Sequence, residues 1–488
     1  MKHTQKPSIA IIGTGFAGLG MAIRLKQAGL DSFTLYEQAE RIGGTWRDNS
    51  YPGAACDVPS HLYSFSFEPN PRWTRHFAPQ AEILDYLEHC TDKYGLRPHI
   101  RFNSPVRSAR FDEDASEWVL TIGEGEEVRA HLVISGCGAL SRPSLPEIPG
   151  LANFQGKLFH SARWDPGHAL EGKTVAIIGT GASATQIVPR IAPRVKQLHL
   201  FQRTPPWVLP KEDRLLGPRE RKLYAALPAM QWLHRQIIYW KYEGRLPLFF
   251  SRLPLARLFE WRALRWLARS IPDAGLRAKL TPNYAMGCKR VLLSDDYYPA
   301  LLRPNVELVT EPIQTVTRDG LLTADGKARP VDTLILATGF QAAEAVSPFP
   351  IQGRGGLRLE EAWRTSAEAY LGTTVAGVPN FFFLVGPNTL LGHSSMVFMI
   401  ESQVQYVLDC IQTLRRGGFE TLEVRESAQA RFNQRLLERL GRTVWSTGGC
   451  ASWYKTRTGK NTTLWPGSTV EFRWRTRQLE PGDYHLEK

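Results

Sequence analysis

Residues 8–38 start with a short apolar run, pass a glycine turn and a helix-period stretch, and end in a second apolar run. In "SIAIIGTGFAGLGMAIRLKQAGLDSFTLYEQ", Ile9, Ile11 and Ile12 predict a strand buried on both faces, as in a parallel sheet. A helix follows the glycines, and a second strand closes on Glu37. The same pattern returns in "KTVAIIGTGASATQIVPRIAPRVKQLHLFQRT". Between the two lies "RIGGTWRDNSYPGAACDVPSHLYSF", whose glycines and prolines predict a structured loop. Residues 211–280 carry large apolar side chains and arginines at helical spacing, broken by Pro210, Pro218, Pro228, Pro247 and Pro254. Residues 369–400 hold no charge, but Gly, Pro and Asn interrupt them; they read as strand, loop and helix start, not a membrane span.

The two repeated units predict an α/β fold with two Rossmann-like dinucleotide-binding domains and a helical insertion. Gly13, Gly15 and Gly18 form G-x-G-x-x-G, and Gly179, Gly181 and Ala184 form its alanine variant. The first glycine allows the tight turn, the second lets backbone approach a pyrophosphate, and the third lets helix pack on strand. Each helix then points free N–H groups and a positive dipole end at that pyrophosphate. Glu37 stands 24 residues after Gly13, where a carboxylate accepts hydrogen bonds from ribose hydroxyls. The same count from Gly179 reaches Arg203, followed by Thr204. A carboxylate repels a 2′-phosphate, whereas a guanidinium pairs with it. The first unit therefore suits FAD and the second suits NADPH, which predicts a flavin-dependent oxidoreductase.

Composition narrows the classes. The 488 residues, 43% hydrophobic and 22% charged, suffice for two or three domains with sizeable cores. The six cysteines are scattered without a C-x-x-C or a His/Cys cluster, which argues against a zinc site or a disulfide framework and fits a reducing cytoplasm. The N-terminus enters its first strand at once, leaving no room for a signal peptide. The net charge of +13 is concentrated in residues 211–280, with 15 Lys and Arg against 6 Asp and Glu, so no nucleic-acid partner is expected. That insertion reads either as a helical roof over the substrate pocket or as a weak peripheral membrane contact seated by Trp and Arg.

"GGTWRDNSYPGAACD" resembles the long fingerprint of type I Baeyer–Villiger monooxygenases, matching at Gly43, Gly44, Trp46, Tyr51, Pro52, Gly53 and Asp57. "FQGKLFHSARWD" is similar to their second fingerprint, at Phe154, Gly156, His160, Trp164 and Asp165. The related flavin-containing monooxygenases usually end this pattern differently, so Trp164-Asp165 favours the Baeyer–Villiger branch. Lys289-Arg290 resembles the Lys-Arg pair of cyclohexanone and phenylacetone monooxygenases, and "VDTLILATGFQ" the family's return strand to the flavin domain. The tail departs from the best-known members at 461–467, "NTTLWPG", which leaves the pocket lid and the choice of ketone open.

The resemblance implies NADPH reduction of FAD, a C4a-peroxyflavin formed with O₂, and its attack on a ketone to give an ester or lactone. It implies that Arg290 stabilises the anionic species and that Asp57 orients Arg290. Motif and resemblance together place FAD contacts at Gly13, Gly15, Phe16, Gly18, Glu37, Gly44, Thr45, Trp46, Asp57, Tyr63, Val106 and Met396. They place NADP contacts at Gly179, Thr180, Gly181, Ala182, Ser183, Ala184, Gln186, Arg203, Thr204 and Lys289. His160 invites the role of general base, but carbon migration needs none. With Phe154, Gly156, Trp164 and Asp165 it is expected in an interdomain linker, as a hinge residue or a packed core histidine. The expected division is 1–150 with 331–488 for FAD, 151–210 with 281–330 for NADP, and 211–280 for the insertion, in a monomer or small homo-oligomer. The competing readings are oxygenation of sulfur or nitrogen nucleophiles, a two-dinucleotide reductase, which the missing C-x-x-C disfavours, and a non-enzymatic binding module.

Overall fold

The computed structural model describes residues 7–250, 255–341, 349–456 and 458–488. Two five-stranded parallel sheets anchor it. In the first, Ile9–Ile12 lies between Phe33–Tyr36 and Leu132–Ser135, with Phe381–Phe383 and Ile100–Arg101 outside them. In the second, Thr174–Ile178 lies between Gln197–Phe201 and Thr333–Leu336, flanked by Val306–Val309 and Lys157–His160. All four residues of the first strand are buried, which is why it reads as a continuous apolar run. The charge-free stretch supplies Phe381–Phe383, a loop, and the start of a 22-residue helix, Met396–Gly417. Among the described residues no helix is long and apolar enough to cross a membrane.

Three expectations need correction. Thr333–Leu336 pairs with Thr174–Ile178 and Lys157–His160, so it belongs to the second sheet, and a boundary at 331 falls too early. An apolar run buried on both faces does not reveal which sheet holds it. The chain crosses between the sheets later, where Pro143 bridges Phe340 and the Gln341 N–H donates to the Arg142 carbonyl at 3.0 Å.

The second fingerprint is likewise no free linker. Lys157–His160 is the edge strand of the second sheet. A Cβ on Gly156 would lie 2.4 Å from the Phe154 ring and 2.7 Å from the Asp332 carbonyl. Glycine there lets Phe154 fold over the strand end. Trp164 packs edge-on against Phe159, and Asp165 pairs with Lys157 at 2.5 Å. His160 is buried beside Phe340, its Nδ1 accepts the Ala162 N–H at 3.1 Å, and burial lowers its pKa. It is a packed histidine abutting the crossing.

The cysteines also depart from the expectation of no disulfide. Cys288 and Cys450, 162 residues apart, form a disulfide, while Cys56, Cys90, Cys137 and Cys410 are free. Spacing along a chain carries no information about pairs made by tertiary approach.

The insertion is helical over Pro218–Ala226, Pro228–Glu243, Leu255–Ser270 and Ala274–Leu280. Pro218 and Pro228 occupy first-turn positions, where the missing N–H costs nothing. Pro254 lies outside the described residues. The second of these helices packs on the first domain, Arg235 donating to the His61 carbonyl at 2.6 Å and Tyr239 stacking on Phe398. Farther along, Phe249 reaches the glycines at 287 and 392.

Candidate active site

The two glycine turns have the same construction. Gly13 (φ +93°) lies against the Gly136 carbonyl of the neighbouring chain segment, and Gly179 (φ +111°) against Ala337. A Cβ at either would press on that backbone, at 3.0 and 2.4 Å. Gly18 meets its own turn, since a Cβ would lie 1.9 Å from the Gly13 carbonyl. Gly15 and Gly181 differ: a Cβ at Gly181 would meet nothing within 4 Å, and at Gly15 only Gly44 Cα, at 3.8 Å. Both are helix N-caps with no side chain capping the first turn. Open space beside uncapped N–H groups fits a pyrophosphate at each turn.

Glu37 is buried and holds the first turn. It accepts the Thr14 hydroxyl at 2.6 Å and the Thr14 and Ala39 N–H groups at 3.1 and 3.0 Å. Arg47, from the fingerprint loop, pairs with it at 2.8 Å. Sequence reasoning missed Thr14 and Arg47. Val106 follows Ser104, whose N–H donates to the Glu37 carbonyl at 2.8 Å, so it flanks the same end. Phe16, Trp46 and Tyr63 form an aromatic group: Tyr63 meets Phe16 and Trp46 edge-on and accepts the Trp46 indole N–H at 3.2 Å. Thr45 opens a short helix capped by Gly44, and Met396 opens the long one, which packs along Phe16–Gln27.

In the second unit, the Arg203 charge acts on Lys289 although 86 positions separate them. Burial, then the Arg203 charge, lowers the Lys289 pKa. Lys289 also lies over the Tyr284 ring. Among the described residues neither cation has a carboxylate within ion-pair distance. Two unneutralised cations at the ribose end fit a 2′-phosphate. Thr180 and Thr204 are tied by a 3.1 Å hydrogen bond from the Thr180 hydroxyl to the Thr204 carbonyl. Ala182, Ser183 and Ala184 form the first turn of the second dinucleotide helix.

Gln186 on that helix also docks the domains. It accepts the Tyr51 hydroxyl at 3.0 Å and donates to the Ala55 carbonyl at 3.0 Å. Gly53 (φ +85°) lets the loop seat there, since a Cβ would lie 2.7 Å from the Gln186 carbonyl. Tyr51 and Gly53 of the fingerprint thus seat the loop on the second dinucleotide helix. Two residues past Ala55, the same loop presents Asp57.

Asp57 meets Arg290 in a bidentate pair, Nε to Oδ2 at 2.7 Å and Nη2 to Oδ1 at 2.8 Å. The pair lies deep in the protein, yet 32% of the Arg290 side chain and 27% of the Asp57 side chain stay open. Asp57 raises the Arg290 pKa against the opposing effect of burial, so the guanidinium is permanently charged. Burial pushes the neighbouring Cys56 thiol and the Tyr242 and Tyr454 phenols up to about 12, so all three stay neutral. The fold therefore brings together a fixed cation, about a third of it open, and a loop that touches both dinucleotide units. A cavity of about 700 Å³, rimmed by Trp240 and Trp474, lies elsewhere, and none of the site residues line it.

A family model described as flavin-binding monooxygenase-like matches residues 6–349. A Baeyer–Villiger monooxygenase of Pseudomonas aeruginosa is 50% identical over 98% of this chain and 91% of its own length. One of Streptomyces coelicolor is 48% identical over 98% and 92%. The crystal structure of OTEMO in complex with FAD and NADP superposes with a TM-score of 0.88 at 29% identity, covering 99% of this chain and all of the other.

Proposed function

The chain belongs to the flavin-binding monooxygenase-like family and, within it, to the Baeyer–Villiger monooxygenases, and from that premise we propose how its own residues serve the reaction. The enzyme uses FAD and NADPH to insert one oxygen atom of O₂ into a ketone. Ketone, O₂, NADPH and a proton give ester or lactone, NADP⁺ and water. Bound FAD supplies hydride acceptance and dioxygen activation.

The Phe16–Gln27 helix start and Gly15 hold the FAD pyrophosphate, and Glu37 the ribose. The Ala182–Ile191 helix start and Gly181 hold the NADPH pyrophosphate, with Arg203 and Lys289 on the 2′-phosphate. Arg290 stabilises the negative charge that builds on oxygen at the reacting carbon. A fixed cation does this without reorganising as the charge appears. Asp57 holds the guanidinium plane in one orientation through its two parallel hydrogen bonds. The observation that carries this reading is the Asp57–Arg290 pair on a loop bolted to the second dinucleotide helix.

We place the enzyme in the cytoplasm, as a monomer or small homo-oligomer. We assign the exposed Trp232, Ile237 and Trp240 of the insertion to a weak contact with anionic membrane; flotation with anionic liposomes at low salt checks it, and absence of co-migration refutes it. The ketone is found by screening the purified yellow protein for ketone-dependent NADPH oxidation with linear, cyclic and aryl ketones. Ester or lactone formation from none of them, with oxygenation of a sulfide instead, would overturn the reading.

A further inference from the structure

The Lys289-Arg290 loop is fastened on the side away from Asp57. Cys288 precedes the pair and is joined to Cys450, and four residues later the buried Tyr454 phenol faces the Arg290 guanidinium. The two strands of chain are in close backbone contact: the Ala285 N–H donates to the Gly448 carbonyl at 3.1 Å, and a Cβ on Gly448 would lie 2.7 Å from Cys288 Cβ. The far end of the segment is held separately. The Thr463 hydroxyl donates to the Tyr454 carbonyl at 3.1 Å, and Asn388 donates to the Asn461 and Leu464 carbonyls at 3.0 and 3.2 Å. Arg290 thus has Asp57 on one side and, on the other, a phenol delivered by a segment whose near end is held by one covalent bond and one backbone hydrogen bond.

We propose that the Cys288–Cys450 disulfide is a clamp, and that Tyr454 is a positioning residue which it holds against Arg290. The thiol–disulfide state of this pair then sets how tightly oxygen insertion is coupled to NADPH use. Cys450 is part-exposed and Cys288 fully buried, so a dithiol attacks at Cys450. The protein S–S bond breaks, both cysteines leave as thiols, and the dithiol closes to its own disulfide, a two-electron exchange. Freed at Cys450, the segment keeps the Thr463 hydrogen bond on the Tyr454 backbone, but its phenol is held against Arg290 from one end instead of two. Arg290 retains Asp57 and its charge, so hydride transfer persists while charge stabilisation at the reacting carbon loosens. NADPH then drains to hydrogen peroxide instead of ester. This inference rests on the function proposed above.

The test compares holoenzyme as isolated, the same protein reduced with dithiothreitol, and the Cys450→Ser and Tyr454→Phe variants. Alkylation and mass spectrometry give the thiol state. Hydrogen exchange over 284–291 and 444–456 gives the clamp, and peroxide and ester per NADPH give the coupling. Reduced protein and Cys450→Ser should both exchange faster in the two segments and raise the peroxide share roughly threefold or more. Tyr454→Phe should raise it with the disulfide intact and exchange unchanged, without altering KM for NADPH. Six free thiols in the isolated protein, unchanged exchange on reduction, or unchanged coupling in Cys450→Ser would each overturn the clamp. If the isolated protein oxygenates no ketone, the proposed function fails, and hydrogen exchange alone still decides whether the disulfide ties the two segments.

Discussion

Asp57 and Arg290, 233 positions apart, meet through two parallel hydrogen bonds of 2.7 and 2.8 Å. The carboxylate accepts the guanidinium fork, a geometry that an ammonium cannot reproduce. Arg290→Lys should therefore keep a positive charge but lower oxygenation about 100-fold. Asp57→Ala should lower ester yield while NADPH still reduces the flavin, because it releases the guanidinium and leaves it unpaired. Stopped-flow measurement of flavin reduction alongside ester yield separates these outcomes. An Arg290→Lys variant with wild-type ester yield would show that charge alone suffices.

The Arg203–Lys289 cluster predicts a strong preference for NADPH over NADH. Arg203→Ala should raise KM for NADPH by about 10- to 100-fold, from loss of a charge-assisted contact. KM for NADH should barely move. Steady-state kinetics with the two dinucleotides checks this, and an equal rise for both would place Arg203 outside the 2′-phosphate site.

Gly53 combines a left-handed backbone with a Gln186 carbonyl that leaves no room for a side chain. Gly53→Ala should push the loop off the second dinucleotide helix and cost about 1–3 kcal/mol of stability. Because Asp57 rides on that loop, the variant should also oxidise NADPH with little ester. Thermal melting and the ester-to-NADPH ratio report the two effects.

Several histidines are held neutral by full or partial burial. His61, 2% exposed, has its pKa lowered to about 3, chiefly by burial, and His76, His160, His199 and His234 are lowered too. The unfolded chain takes up these protons first, so stability is fully present above pH 6.5 and falls as pH drops below it. His61 alone should account for about 2 kcal/mol between pH 6.5 and 5. Denaturant midpoints across that range should fall in the wild type and fall less steeply in His61→Gln. Equal slopes would remove His61 from the account.

The two dinucleotide units were legible because each glycine answers a local steric need: a tight turn, an open approach, or a helix packed on a strand. The contrast between Glu37 and Arg203 was legible for the same reason, since it needs only a count along one unit. Lys289 beside Arg203 and Asp57 beside Arg290 are tertiary meetings, and the resemblance, not the spacing, pointed to them. Tyr51 and Gly53 carried a fingerprint whose physical reason, docking on Gln186, appears only in the fold. The sequence "TLIL" suits either buried sheet, so nothing local in Thr333–Leu336 reveals its pairing with Thr174–Ile178 and Lys157–His160. Cys288 and Cys450 gave no sign of pairing, since their approach depends on how the C-terminal segment folds back. Thr14 and Arg47, both on Glu37, went unnoticed because ordinary polar residues in a loop carry no motif.

The central claim is that Arg290 acts on oxygen insertion and not on dinucleotide use. Purified wild-type protein and Arg290→Ala are each supplied with NADPH, ¹⁸O₂ and a ketone found by the screen. The account predicts one ¹⁸O atom per wild-type ester molecule, and for Arg290→Ala no labelled ester while NADPH still reduces the flavin. Labelled ester from Arg290→Ala at a rate near that of the wild type would contradict it.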